Sequence, residues 1–93
     1  MKVVEINKFG GPEVLKIGSR PIPSPKKNEV LIKVKAAGVN RPDILQREGN
    51  YPPPKGASDI LGLEIAGEVV KINKRSSNIK IGDKVCALVT SGG

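Results

Sequence analysis

The side chains best placed for chemistry fall in one stretch, Val39-Asn40-Arg41-Pro42-Asp43-Ile44-Leu45-Gln46-Arg47-Glu48-Gly49-Asn50-Tyr51. Asn40 offers an amide that both donates and accepts, Asp43 a carboxylate, Arg47 a guanidinium and Tyr51 a phenol. This set binds and orients ligand oxygens; it does not break bonds by itself. The chain contains no histidine, so no Ser-His or Cys-His pair can form. For the same reason a zinc site of nitrogen and sulfur ligands is excluded. Asp43, Asp59, Glu64 and Asp83 are scattered, and spacing pairs none of them. No glycine-rich turn opens a helix after a strand, so the chain has no dinucleotide fingerprint. The lone cysteine, Cys86, sits in Lys84-Val85-Cys86-Ala87-Leu88 and reads as a small core residue.

These residues need elements to hold them. Val30-Leu31-Ile32-Lys33-Val34-Lys35-Ala36-Ala37-Gly38-Val39 predicts the longest strand. Val30, Ile32, Val34 and Ala36 would make its core face, with Lys33 and Lys35 facing water. Next comes a helix of about two turns over 41–48. Asn40 is its N-cap, Pro42 lies in the first turn, and Asp43 sits near the positive end of the dipole. Ile44 and Leu45 point inward, Arg47 reaches back to Asp43, and Gly49 ends the helix in a left-handed conformation. Strands are also expected over residues 2–7, 13–19, 65–72 and 85–90. Turns are expected at Gly10-Gly11-Pro12, Ser76-Ser77-Asn78 and Gly82-Asp83. The alternate prolines Pro21, Pro23 and Pro25 fix an extended connector. Residues 50–58 form a loop rich in proline and glycine. Gly62, Gly67 and Gly82 read as backbone devices.

The chain has 93 residues, one small domain. Its 11 glycines and 8 prolines favour short strands and tight turns over a bundle. The fold class expected is mainly β: a small, partly open β-barrel with one short helix. A net charge of +7 raises nucleic acid as a partner, but the lysines are dispersed, and Phe9 and Tyr51 alone cannot make a stacking row. An anionic cofactor suits the same positive field. No apolar run is long enough to span a bilayer, and the first residues lack a signal-peptide layout, so a soluble cytoplasmic protein is expected.

Three motifs in order carry a resemblance that covers nearly the whole chain. They are Ala37-Gly38-Val39-Asn40-Arg41-Pro42-Asp43, Gly62-Leu63-Glu64-Ile65-Ala66-Gly67 and Ile79-Lys80-Ile81-Gly82-Asp83-Lys84-Val85. Together they resemble the N-terminal catalytic domain of the medium-chain dehydrogenase/reductase superfamily, whose fold is like that of the chaperonin-10 co-chaperone GroES. The pattern Asn-x-x-Asp-x-x-x-Arg-x-Gly-x-Tyr, met by Asn40, Asp43, Arg47, Gly49 and Tyr51, is similar to the zinc-independent, zeta-crystallin-like quinone oxidoreductases.

The resemblance implies hydride transfer from NADPH to a quinone or another electron-poor alkene or carbonyl, without zinc and without an essential general base. In zinc-dependent relatives the position of Asn40 carries a cysteine ligand and that of Leu63 a histidine ligand. Neither residue here can hold the metal, and Glu64 loses its metal setting. Asn40, with Arg41 and Pro42, would face the nicotinamide end of the cofactor. Tyr51, with Asn40 and Leu63, would face the substrate. Asn40 as a plain cap, and Tyr51 as a ring packed on the proline run, remain open beside these roles. The family places an NADPH-binding Rossmann domain after this one, and it is absent here. The chain by itself is therefore expected to show no reductase turnover and no tight NADPH binding, and to need the second domain in cis or trans. The alternative is a GroES-like binding or assembly module without redox chemistry.

Overall fold

The computed structural model describes residues 1–73 and 78–93. Strands β1 (Lys2–Ile6) and β2 (Leu15–Ser19) form an antiparallel hairpin in the register Lys2↔Ser19 to Ile6↔Leu15. The Arg20 N–H donates to the Met1 carbonyl at 3.0 Å and the Met1 amino group to the Arg20 carbonyl at 2.8 Å, which extends the ladder by one pair. The second strand is shorter than expected. Pro12–Val14 is a 3-10 turn, because Pro12 presets a helical φ and the Val14 N–H donates to the Gly11 carbonyl. That turn drives Val14 into the interior, where it is 2% exposed.

The proline connector leaves β2 without forming a strand. It ends in a turn in which the Glu29 N–H donates to the Lys26 carbonyl and Asn28 takes φ 66°, a left-handed value asparagine tolerates. A second sheet follows, ordered β3-β4-β5 and antiparallel throughout: β3 (Glu29–Ala37), β4 (Glu64–Asn73) and β5 (Lys84–Leu88). Helix α1 (Arg41–Glu48) spans the predicted residues and lies between β3 and β4 in the chain. The turn before β5 is as expected. Gly82 takes φ 96°, its N–H donates to the Val69 carbonyl, and the Asp83 carboxylate accepts the Lys80 N–H at 2.9 Å. Of the turn expected at 76–78, Ser76 and Ser77 lie outside the described residues.

Two expectations fail in the second sheet. The row Val30, Ile32, Val34, Ala36 is not continuous. Lys35 is an extra residue between the pairs Val34↔Gly67 and Ala36↔Ala66, so Val34 and Ala36 face opposite sides. No β3 residue is fully buried. Central strand β4 carries the core instead, with Ile65 and Val69 at 6% and 0% exposure and Gly67 buried between them. A Cβ on Gly67 would overlap the Lys33 carbonyl, so only glycine permits this approach of β3 to β4. Cys86 is exposed rather than buried. Strand β5 is an edge, and its alternation turns Lys84, Cys86 and Leu88 to solvent while Val85 and Ala87 face inward.

An open groove of about 1110 Å³ is lined by Val3 and Leu15 from the hairpin, Leu31 and Ile32 from β3, and Ile44 from α1. Among the described residues no helix is long and apolar enough to cross a membrane.

Candidate functional site

The site begins where β3 ends. The Gly38 N–H donates to the Glu64 carbonyl at 3.0 Å, next to the pair Ala37↔Ile65. This fastens the exit of β3 to the first residue of β4. The chain then turns through Val39 into Asn40, which holds extended angles (φ −127°, ψ 165°) at the N-cap of α1. Asp43 closes the start of the helix back onto Asn40: the Asn40 N–H donates to Asp43 Oδ2 at 2.9 Å and the Asp43 N–H to the Asn40 backbone carbonyl at 3.0 Å, while the Asn40 side chain makes no cap hydrogen bond of its own. Across the corner, Asn40 Nδ2 donates to Glu64 Oε2 at 3.0 Å. A carboxylate only accepts, so this bond sets the amide: nitrogen toward Glu64, Oδ1 left to accept from elsewhere. Gly38 makes room for the pair, since a Cβ there would stand 2.6 Å from Glu64 Oε2.

Helix α1 ends as expected. Gly49 takes φ 90°, its N–H donates to the Gln46 carbonyl, and the Asn50 N–H donates to the Leu45 carbonyl at 2.7 Å. Its buried face differs from the expected one. Asp43 and Gln46 are buried, whereas Ile44 and Leu45 are only half-buried. Arg47 does not pair with Asp43. The Asp43 carboxylate turns back over the helix N-terminus, while Arg47 Nε donates to the Gly10 carbonyl at 3.1 Å and Nη2 lies 3.9 Å from Glu48. Arg47 therefore joins α1 to the loop between β1 and β2. Asp43 Oδ1 is buried without a hydrogen-bond partner among the described residues.

The other candidates spread outward from this corner. Arg41 is exposed at the first helical position and Pro42 is half-buried behind it. Leu63 is half-buried just before Glu64, its carbonyl accepting the Val89 N–H at 2.8 Å. Tyr51 is 40% exposed on the loop after Gly49, and no hydrogen bond ties it to the Asn40–Glu64 pair. The structure thus joins Asn40 to Glu64 directly, and among the described residues the Tyr51 hydroxyl has no hydrogen-bond partner.

Sequence reasoning missed a second polar centre. Arg20 Nε donates to Glu5 at 2.7 Å, and its two terminal nitrogens grip Asp59 in a fork at 2.9 and 3.1 Å. Hydrogen bonds from Arg20 hold the Asp59 carboxyl below its ordinary range, and those to Asp59 and then Glu5 push the Arg20 guanidinium further up. The partners lie 15 and 39 residues from Arg20, so no local spacing announces them.

Among the described residues, no three side chains of histidine, cysteine, aspartate or glutamate come together as a metal site. The residues toward a nicotinamide nucleotide fit at one end only. Asn40 Oδ1 and the exposed Arg41 suit its amide, hydroxyl and phosphate groups, but among the described residues no glycine-rich loop cradles a pyrophosphate.

Comparison with known proteins gives this geometry a setting. Residues 26–92 match the alcohol dehydrogenase GroES-like domain. The chain is 39% identical over 94 residues to a quinone oxidoreductase of Lama guanicoe, covering 100% of this chain and 28% of that protein. The quinone oxidoreductase of Coxiella burnetii superposes with a TM-score of 0.82 at 36% identity, over 95% of this chain and 29% of that one. The Escherichia coli quinone oxidoreductase complexed with NADPH superposes with a TM-score of 0.80 at 40% identity, over 95% and 28%. This chain spans less than a third of the length of these relatives. A mainly β chain with one helix and these matches belongs to the alcohol dehydrogenase GroES-like domain family of the medium-chain dehydrogenase/reductase superfamily.

Proposed function

We propose that this chain is the acceptor-side wall of an NADPH-dependent, zinc-independent quinone reductase acting in the cytoplasm. The observation that carries the reading is the Asn40–Glu64 bond at the strand-to-helix corner. Where zinc-dependent relatives place a metal ligand, this chain places a neutral amide fastened by a carboxylate. The bond holds Asn40 Oδ1 ready to accept from the carboxamide or ribose of a nicotinamide nucleotide, with Arg41 and Pro42 alongside. Bound NADPH supplies the hydride. Tyr51 donates a hydrogen bond to the acceptor oxygen or stacks on its ring, and Leu63 gives an apolar contact. The acceptor is a quinone or an activated alkene or carbonyl.

The cofactor's phosphates need a second domain, in cis or in trans. By itself the chain has no measurable turnover and no tight NADPH binding. Nucleic acid and membranes are not its partners.

The test grafts residues 1–93 in place of the matching segment of the Escherichia coli quinone oxidoreductase. The graft should oxidise NADPH only when a quinone is present, and Tyr51→Phe should raise KM for the quinone several-fold with little change in NADPH affinity. A graft that folds and binds NADPH but transfers nothing to any quinone would overturn the reading. So would turnover above a blank by the 93-residue chain alone.

A further inference from the structure

The loop bearing Tyr51 is fastened at both ends, and the far fastening is ionic. At its start, the Gly49 turn returns two N–H groups to α1. A Cβ at Gly49 would stand 2.8 Å from the Phe9 ring, so the β1–β2 loop packs against the same point. Within the loop the Ala57 N–H donates to the Pro54 carbonyl at 3.0 Å, and Gly56 turns at φ 84°. At its end stands Asp59, whose carboxylate takes the Arg20 fork and whose carbonyl accepts Gln46 Nε2 at 3.2 Å. The next residue is bound as well: the Ile60 carbonyl accepts the Gly92 N–H and the Ser91 hydroxyl.

We propose that Arg20 is a positioning residue: its fork on Asp59 sets the order of the 50–58 loop and so the placement of Tyr51. Three features point this way. Arg20 follows β2, already locked to Met1 by a reciprocal backbone pair, so its side chain starts from a fixed base. Glu5 holds Nε at 2.7 Å, which leaves both terminal nitrogens for Asp59 and aims the fork. The loop itself is held internally by the one backbone turn at Ala57, and three consecutive prolines, Pro52 to Pro54, remove its donors. Order in such a segment comes from its anchors rather than from its own ladder. With the clasp open, the Asp59 end keeps only its carbonyl bonds, Asp59 to Gln46 and Ile60 to Ser91 and Gly92, so the loop loosens while α1 and the β3–β4–β5 sheet stay in place.

That the loop is ordered by Arg20 stands on these contacts alone. Only the purpose, presenting Tyr51 to an electron acceptor, rests on the function proposed above, so the test reads loop order without turnover. Tyr51 is the sole tyrosine and the chain has no tryptophan, so intrinsic fluorescence reports this loop directly. In the 93-residue chain, Arg20→Gln and Asp59→Asn should each raise acrylamide quenching of Tyr51. Each should also speed amide exchange at Ala57 and Ile60 by about two- to five-fold, the range for an exposed forked ion pair. The double variant should add little to either single one, since all break the same contact. Arg20→Lys, which keeps the charge and loses the fork, should recover part of the effect. Exchange at Val69, in the core of β4, should not change. Unaltered quenching and loop exchange in both single variants would overturn the proposal. An equal acceleration at Val69 would overturn it too, because Arg20 would then support the whole fold.

Discussion

Replacing Gly38 with alanine should separate the site from the fold. The φ of Gly38 lies outside the left-handed region, so alanine fits its backbone. Its Cβ, however, would stand 2.6 Å from Glu64 Oε2, 2.9 Å from Glu64 Cδ and 3.3 Å from Asn40 Nδ2. The atoms in the way are the flexible end of an exposed side chain, so the carboxylate moves and the backbone does not. The loss is one exposed hydrogen bond whose charged acceptor is rehydrated once released, which keeps the cost to about 0.5–1.5 kcal/mol rather than the larger figure for a desolvated charged pair. Alanine also removes unfolded-state freedom, which returns about 0.4–1 kcal/mol. The two nearly cancel. Gly38→Ala should therefore unfold within about 1 kcal/mol of the parent, a shift of no more than about 4–8 °C in Tm for a domain this size. The Asn40 side-chain amide resonances, by contrast, should move to free, solvent-exchanging values in a nitrogen–proton NMR spectrum. Glu64→Ala should move the same resonances, whereas Glu64→Gln, which keeps an acceptor, should not. Unshifted Asn40 resonances in Gly38→Ala would refute the claim that Glu64 sets the amide. A loss well above 2 kcal/mol would refute the claim that the side chain, not the backbone, gives way.

Gly49→Ala puts a side chain at φ 90° and against the Phe9 ring, and should cost about 1–2 kcal/mol in a urea titration, chiefly from the left-handed conformation because exposed Phe9 can swing aside. Cys86, exposed on edge strand β5, should react with a thiol reagent in the native chain at a rate close to that in urea; strong native protection would contradict its placement. The clasp should depend on pH through Asp59, which faces Arg20 while Arg20 also faces Glu5. Because the folded Asp59 carboxyl is held below its ordinary range, its contribution is full above the unfolded aspartate range and fades as pH falls through the lowered value. Tyr51 quenching should accordingly stay flat from neutral pH down to that range and rise below it, and a rise centred near neutrality would contradict the assignment.

Much of the local structure was legible because it is written in adjacent residues. Asn40, Pro42, Asp43 and Gly49 mark both ends of α1 by capping chemistry that acts within a turn, and the helix spans 41–48 as expected. Gly82 and Asp83 mark a turn for the same reason. The partial misses are places where a neighbouring strand decides. The bulge at Lys35 depends on how β3 registers against β4, which the alternation of β3 alone does not contain. The exposure of Cys86 follows from β5 being an edge, and the apolar run around it reads the same at an edge or at a centre. Asp43 and Arg47 stand at a good helical spacing, yet each finds a better partner off that spacing, one in the cap and one in another loop.

Sequence alone set the chemical limits of these 93 residues: they offer no histidine to bind a metal or activate a nucleophile, and their single cysteine cannot form a disulfide among them. It also determined the motif order by which the family is known. Only the tertiary structure decided which of the polar residues act together. Asn40 meets Glu64 across 24 residues, and Arg20 meets Asp59 across 39. Such pairs depend on where strands register and loops return. Those placements follow from the summed packing of the whole chain, not from the neighbours of any one residue.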